Sequence, residues 1–448
     1  MSGSNESHSN QSPLKWLYPA FTVGLLSAAL IVAKTGRDAL FFQGKGIFQL
    51  PLATLLVAAA SLPLAMLFVK AMRLWGARPA RAGVLLLGAL VIGLCAPFLE
   101  PGESPLLFFV FMFIPSVFGV MFASLWLLAS DVFENDSKHD ASRAFGKIGA
   151  SALIGGMLGG FMAKGLSPYL EAKWLVFAGA LLVVAVLGVV WLIHQRFDNQ
   201  VVDAPNQANI AAGVSPFSSQ YARNLLLISM AAAFAGLLID AQFYISAATS
   251  DTKDKASFFA NFYIYLNLSS LLLQVFLAHR IHDKVGLRGG LLILPFALVG
   301  AATFSTAMVS ALSRTVLKVT EGGIKSSIHR SFWEQAFIPI HKGERSFVKL
   351  AVDGVGAKVA EGAGAVMLFV WIGQVAPNGV PKGPINVEWM AWLTLVTVAF
   401  WLVVTWRLKV QMNQDFNLGV PIEGLNAPNC ESFPDQCPCT TELGKGVR

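Results

Sequence analysis

Five ionisable residues stand at short, regular intervals inside an otherwise apolar stretch: Arg314, Lys318, Glu321, Lys325 and His329, separated by 4, 3, 4 and 4 positions. On an α-helix this spacing places all five on one face. Ammonium groups flanking a carboxylate on one face can hold an anion, pass a proton or neutralise one another. A second set, Asp353, Lys358 and Glu361, lies in the next apolar run, and its last two members are close enough to pair. A third, Lys34, Arg37 and Asp38, closes the first apolar run. Arg37 and Asp38 are neighbours, so on a helix they point about 100° apart and one of them is expected to face inward. An ionisable group against lipid costs at least about 2.5 kcal/mol. The faces in the tenth and eleventh runs are therefore expected to line a watery cavity, with an intramembrane salt-bridge ladder as the competing reading, whereas the set that closes the first run can also snorkel to the headgroups. Asp240 and Gln242, then Asn261, Asn267 and Gln274, interrupt two further runs and suit interhelical hydrogen bonds as well as substrate contact.

Covalent chemistry has no visible seat. The seven histidines form no HxxxH pair and no nucleophile arrangement, and no Gly-x-x-x-x-Gly-Lys-Ser/Thr segment is present. Neither an enzyme nor an ATP-driven pump is expected, and no cofactor is implied. Cys430, Cys437 and Cys439 sit in a polar tail whose Cys-Pro-Cys spacing is a weak zinc signal, so an unstructured tail and no metal are expected. No basic tract suits nucleic acid.

The elements that must carry these charges are membrane helices. Hydrophobic residues make up 55% of the chain and charged ones 13%, with a mean hydropathy of +0.61; a soluble domain could not hide that much apolar surface. Apolar runs place six spans near residues 17–33, 50–69, 82–99, 106–129, 148–163 and 174–193. Six more follow near 224–248, 258–278, 289–312, 316–338, 348–374 and 389–406. The predicted organisation is an N-terminal segment (1–16), a first six-helix half (17–193), a polar linker (194–223), a second six-helix half (224–410) and a C-terminal tail (411–448). One set of alternate loops, including Lys70, Arg73, Arg78, Arg81, Lys138, Arg143 and Lys147, carries about twice the Lys and Arg of the other, which predicts cytoplasmic termini. Met1 to Ser12 hold no basic residue and no apolar core, so the first helix is expected to act as its own insertion signal. A bacterial inner membrane is favoured over an organelle, and a monomer over an oligomer.

A short internal repeat relates the halves. Arg143-Ala144-Phe145-Gly146-Lys147 enters span five, Arg345-Ser346-Phe347-Val348-Lys349 enters span eleven, and each is followed by a glycine-rich helix. Two parallel six-helix repeats joined by a linker form the major facilitator arrangement, which works by rocking one half against the other.

Three segments resemble the nucleotide transporter family, the ATP/ADP translocases of plastids and intracellular bacteria and their bacterial relatives. They are Gly36-Arg37-Asp38-Ala39-Leu40; Trp126 with Asp140-Ala141-Ser142-Arg143-Ala144-Phe145; and Glu334-Gln335-Ala336-Phe337-Ile338-Pro339-Ile340 with Lys349 and Asp353. Two departures bear on substrate: Trp333 stands where the family has Lys, and Ala360-Glu361-Gly362 where it has Gly-Lys-Ser. The resemblance implies that Arg37, Asp38, Arg143, Glu334, Lys349 and Asp353 belong to the transport site or its gates. Arg143, Lys147, Glu334, Arg345 and Lys349 lie at predicted cytoplasmic ends, where charges of opposite sign on the two halves would seal the mouth. Lys318, Glu321, Lys325, Lys358 and Glu361 lie deeper and join Arg37, Asp38 and Asp353 as substrate-site candidates. The expected function is secondary transport by alternating access, exchanging nucleotides or other phosphorylated or carboxylated metabolites. Alternatives are a proton-coupled exporter using Asp240, Glu321, Asp353 or Glu361, a lipid flippase, and a sensor that has lost exchange.

Overall fold

The computed structural model describes residues 15–43, 46–102, 104–133, 138–196, 220–249, 255–308, 310–337, 340, 348–372 and 387–418. All of their regular structure is helical. The first half comprises α1 (Leu17–Phe41), α2 (Gly46–Trp75), α3 (Ala77–Cys95), α4 (Pro105–Val132), α5 (Lys138–Leu166) and α6 (Ala172–Arg196). The second begins with α7 (Gln220–Thr249) and α8 (Lys255–Leu272), which passes through a π-helical segment (Leu273–Ala278) into α9 (His279–Ala307). Next come α10 (Ala311–Ile324), a π-helical segment (Lys325–His329) and α11 (Arg330–Gln335), which form one helical run. A third π-helical segment (Leu350–Gly356) leads into α12 (Ala357–Ile372), and α13 (Val387–Leu418) closes the bundle.

Among the described residues, ten helices are long and apolar enough to cross a membrane. The two remaining runs, 311–335 and 350–372, are helical as well, but each carries several ionisable residues and a π turn. Wide π turns are common where a helix serves a functional site. The protein is a polytopic all-helical membrane protein, and its apolar exterior, with Leu87, Leu94, Leu181, Trp191, Phe296 and Trp392 all exposed, is what lipid covers.

Packing repeats between the halves. In the first, α1 lies against α5 and α6; in the second, α7 lies against α12 and α13. The seam is built from α2 against α12 and α5 against α8, pairs that exchange when each helix is advanced by six spans. The glycines after the internal repeat permit this closeness. A Cβ on Gly155 of α5 would stand 1.9 Å from the Gly24 carbonyl oxygen of α1, and one on Gly364 of α12 would stand 2.6 Å from Leu237 of α7. Gly156 and Gly160 face Asn267 and Ile264 of α8 in the same way across the seam. Backbone cannot yield as a side-chain tip can. Gly155→Val is therefore expected to cost at least about 3 kcal/mol, read as lost monodisperse protein on size exclusion, while Gly188→Val, at an open position, leaves the yield unchanged.

Two boundaries differ from the sequence expectation for identifiable reasons. Span one was expected to end at residue 33, but α1 runs eight positions further and takes Lys34, Arg37 and Asp38 inside the bundle. Span nine was expected to reach Leu312, yet α9 stops at Ala307 and α10 begins at Ala311. Ser310 and Ser313 form a reciprocal capping box there, each hydroxyl accepting from the other residue's backbone N–H (3.2 and 3.3 Å). The linker and tail lie largely outside the described residues, although α13 extends past residue 411 to Leu418.

Candidate functional site

The bundle has two ends. At the near end, where α1 begins, Lys15, Lys147 and Arg196 sit over the rings of Phe133, Trp16 and Tyr18. At the far end, aromatic side chains from both halves close over the seam. Phe42 stacks on Tyr244 with ring centroids 4.6 Å apart, Phe41 stacks on Phe111 at 3.9 Å, and Phe259 packs beside Phe42 and Tyr244.

Beneath this plug, α1 presents a compact polar knot. Arg37 and Asp38 are 3% and 0% exposed. Arg37 Nε donates to Asp38 Oδ1 at 2.8 Å, its Nη2 donates to the same oxygen, and its Nη1 donates to the Phe111 carbonyl at 3.3 Å. The guanidinium also lies 4.3 Å from the Phe111 ring centroid. Asp38 Oδ2 accepts from the Tyr263 hydroxyl at 2.6 Å, which ties α1 of the first half to α8 of the second. The sequence expectation had one of the two adjacent residues facing inward. Both are buried, because each supplies the other's counter-charge.

A cavity of about 440 Å³ lies below the knot. Its wall draws on α1, α2 and α4 from one half and α7, α10 and α12 from the other. Lys34, Arg37, Asp240, Lys318, Glu321, Lys325 and Glu361 all reach it, so the substrate-site candidates Arg37, Lys318, Glu321, Lys325 and Glu361 are brought together. Lys318 Nζ stands 2.6 Å from Asp240 and 2.7 Å from Glu321, and Lys325 Nζ stands 2.9 Å from Glu321. Lys358 pairs with Glu361 at 2.7 Å. Lys34 differs from these: its ammonium rests 4.8 Å from the Tyr263 ring centroid, and among the described residues it makes no ion pair.

A second cavity of about 560 Å³ continues toward the near end and shares Lys318, Glu321, Lys325 and Glu361 with the first. Asp353 lines this one, where its Oδ1 accepts from Trp333 Nε1 at 2.9 Å. Trp333, where the resembled family carries Lys, thus keeps a donor for Asp353 but not a positive charge.

The five-residue ladder does not act as one unit. Arg314 donates to Ser246 of α7 at 2.8 Å, and His329, the last residue of the π turn, stacks on Trp333 and meets Trp401 edge-on while lining the second cavity. Only Lys318, Glu321 and Lys325 form the connected network. The gate candidates divide as well. Glu334 and Lys349 pair with each other, but both belong to the second half, so the contact fastens α11 to the following helix rather than joining the halves. Lys147 is occupied with Trp16. Arg345 and the side chain of Arg143 lie outside the described residues. Among the described residues, one near-end contact between the halves is made by Arg330, whose guanidinium lies 5.2 Å from the Trp126 ring centroid, while Trp126 stacks on Phe145.

Lys34, Asp240, Tyr244, Tyr263 and Arg330 are therefore site residues that the charge ladder did not select. A usable signal existed for Lys34, which stands four positions before Asp38 and so shares its helical face. None existed for the tyrosines, which look like any half-polar residue in an aromatic run.

No protein-family profile matches the chain, and no curated protein matches it in sequence. Two solved structures of the nucleoside transporter NupG are similar in fold. A substituted form superposes with a TM-score of 0.62 at 14% identity, covering 88% of this chain and 99% of that one. A second structure gives 0.59 at 14% identity, covering 89% and 99%. The fold is shared with a transporter. The likeness shows the helical fold and does not single out the ATP/ADP translocases.

Proposed function

We propose that this protein is a secondary transporter that carries a small anionic metabolite by alternating access, with residues 17–193 and 224–410 as the two rocking units. One observation carries the reading: a cavity walled by both halves holds paired charges that would be costly in lipid, directly beneath a seal of side chains from both halves. A purely structural ladder would have no need of the surrounding cavity. The loop charges favour a cytoplasmic near end, so the conformation is one closed to the outside. Nucleotides and other phosphorylated or carboxylated metabolites are the substrate classes that the basic side chains of the cavity favour. Proton-coupled export is supported by Asp240, which is 40% exposed in the cavity while paired with Lys318.

Proteoliposome uptake tests this. Labelled ATP, ADP, AMP, adenosine and small carboxylates are offered with and without the same solute inside, and with and without a pH gradient. Anionic uptake is expected to need internal solute and to fall at least about tenfold in Lys325→Ala, which takes one positive charge from the cavity. Uptake driven by the pH gradient alone supports proton coupling instead. No uptake of any anion under any gradient contradicts the proposal.

A further inference from the structure

We infer that Lys34 is the residue that takes the substrate's charge, and that the substrate carries a single anionic group, a carboxylate or one phosphoryl. This rests on the transport reading and narrows it.

Most cations of the cavity already have counter-ions. Arg37 is matched by Asp38, Lys318 by Asp240 and Glu321, Lys325 by Glu321, and Lys358 by Glu361. Asp38 is committed on both oxygens, Oδ1 to Arg37 and Oδ2 to Tyr263. Lys34 reaches the same cavity wall over the face of Tyr263, and among the described residues no carboxylate stands within ion-pair distance of its ammonium, the charges of Asp38 and Asp240 acting on it from further off. A ring quadrupole is a weaker partner than a carboxylate. An ammonium without a counter-ion away from bulk water is a standing cost, and intramembrane charges of that kind mark substrate paths. An anionic group from the substrate would supply the missing partner. A polyphosphate would bring several charges to a wall with one cation to spare and would have to break the existing ion pairs. A single carboxylate or phosphoryl meets Lys34 and leaves them intact. The rest of such a ligand would lie against Phe118, Phe122 and Leu237, which line the cavity.

The position of Lys34 also suggests what binding does. Its ammonium leans on Tyr263, whose hydroxyl holds Asp38 across the seam. Drawing Lys34 toward a ligand loosens the ring that closes the far end.

The test is thermal unfolding of the purified full-length protein in detergent. The probes are chloride and inorganic phosphate alone, small monocarboxylates, sugar and nucleoside monophosphates, adenosine, ADP and ATP. At least one organic monoanion is expected to stabilise the native protein. Its apparent affinity is expected to fall about tenfold or more in Lys34→Gln, the loss of a charged partner, and to be largely kept in Lys34→Arg. Without ligand, Lys34→Gln is expected to melt higher than the native protein, because it removes an unmatched charge. A lower ligand-free melting point would assign Lys34 to holding Tyr263 and overturn the inference. So would stabilisation by ATP and ADP but no monoanion, by inorganic ions only, by adenosine equally in both proteins, or by nothing in the panel. The two readings fail separately: a protein that binds monoanions through Lys34 but never transports them loses the transport reading alone, and one that transports with Lys34→Gln unimpaired loses only this one.

Discussion

Replacing Asp38 with Asn is expected to cost about 3–5 kcal/mol of stability, the range for stranding one member of a buried ion pair. Arg37 is 3% exposed and, among the described residues, pairs with no other carboxylate. Its remaining partners, the Phe111 carbonyl and ring, are neutral. The same substitution weakens the bond from Tyr263, because a carboxylate acceptor becomes an amide oxygen. The far end should then open more readily. Tyr263→Phe separates the two effects: it deletes the bond across the seam while leaving Arg37 and Asp38 paired. It is expected to cost about 1.5–3 kcal/mol of the far-closed state and little of the fold. Melting temperature and the reactivity of a far-end cysteine read the two quantities independently. Equal melting of Asp38→Asn and the native protein would show that the knot is not what holds α1, α4 and α8 together.

Glu321→Gln should change kinetics more than folding. Glu321 is 5% exposed and serves two ammonium groups, yet Lys318 keeps Asp240 and Lys325 is 49% exposed. The stability cost is therefore expected near about 2 kcal/mol, the range for a charged hydrogen bond. Transport should suffer through excess affinity. With the shared carboxylate neutral, Lys325 loses its ion partner and becomes available to an anion while Lys318 stays with Asp240, so KM is expected to fall while maximal turnover falls at least about tenfold, since tighter ground-state binding slows release. A raised KM would mean that Glu321 touches the substrate itself, as it would for a cationic or proton-carrying cargo. Lys325→Ala moves the cavity charge the other way, and opposite KM shifts in the two variants would place both in one electrostatic site.

The class of fold was legible because lipid imposes it: long apolar runs broken by charged and turn residues follow from a solvent in which every backbone group must be paired within its own segment. What stayed hidden has particular causes. The end of α1 was misplaced because Lys34, Arg37 and Asp38 look like a membrane boundary until Tyr263, more than two hundred positions away, is known to receive Asp38. The break before α10 rests on two serines that hydropathy counts only as mildly polar. The ladder in the tenth span assumed an unbroken 3.6-residue period; the helix widens into a π turn at Lys325–His329, and the ladder's last member packs against two tryptophans in place of joining the ion pairs. Paired charges were found, since their spacing is local. Lys34 was noticed only as part of a boundary cluster, because its lack of an ion pair among the described residues is a property of the whole bundle.

Motion between the halves is the claim on which the functional reading depends, and pulsed electron spin resonance measures it directly. In a background with all four cysteines replaced, one label pair is placed at the far end, at Tyr169 and Leu312, and another at the near end, at Leu192 and Leu277, all exposed positions on opposite halves. Alternating access requires the far pair to be short in the native protein and to lengthen in Asp38→Asn while the near pair shortens. Distances that stay fixed in both proteins, or that widen together at both ends, would contradict a rocking transporter and leave a static charged bundle.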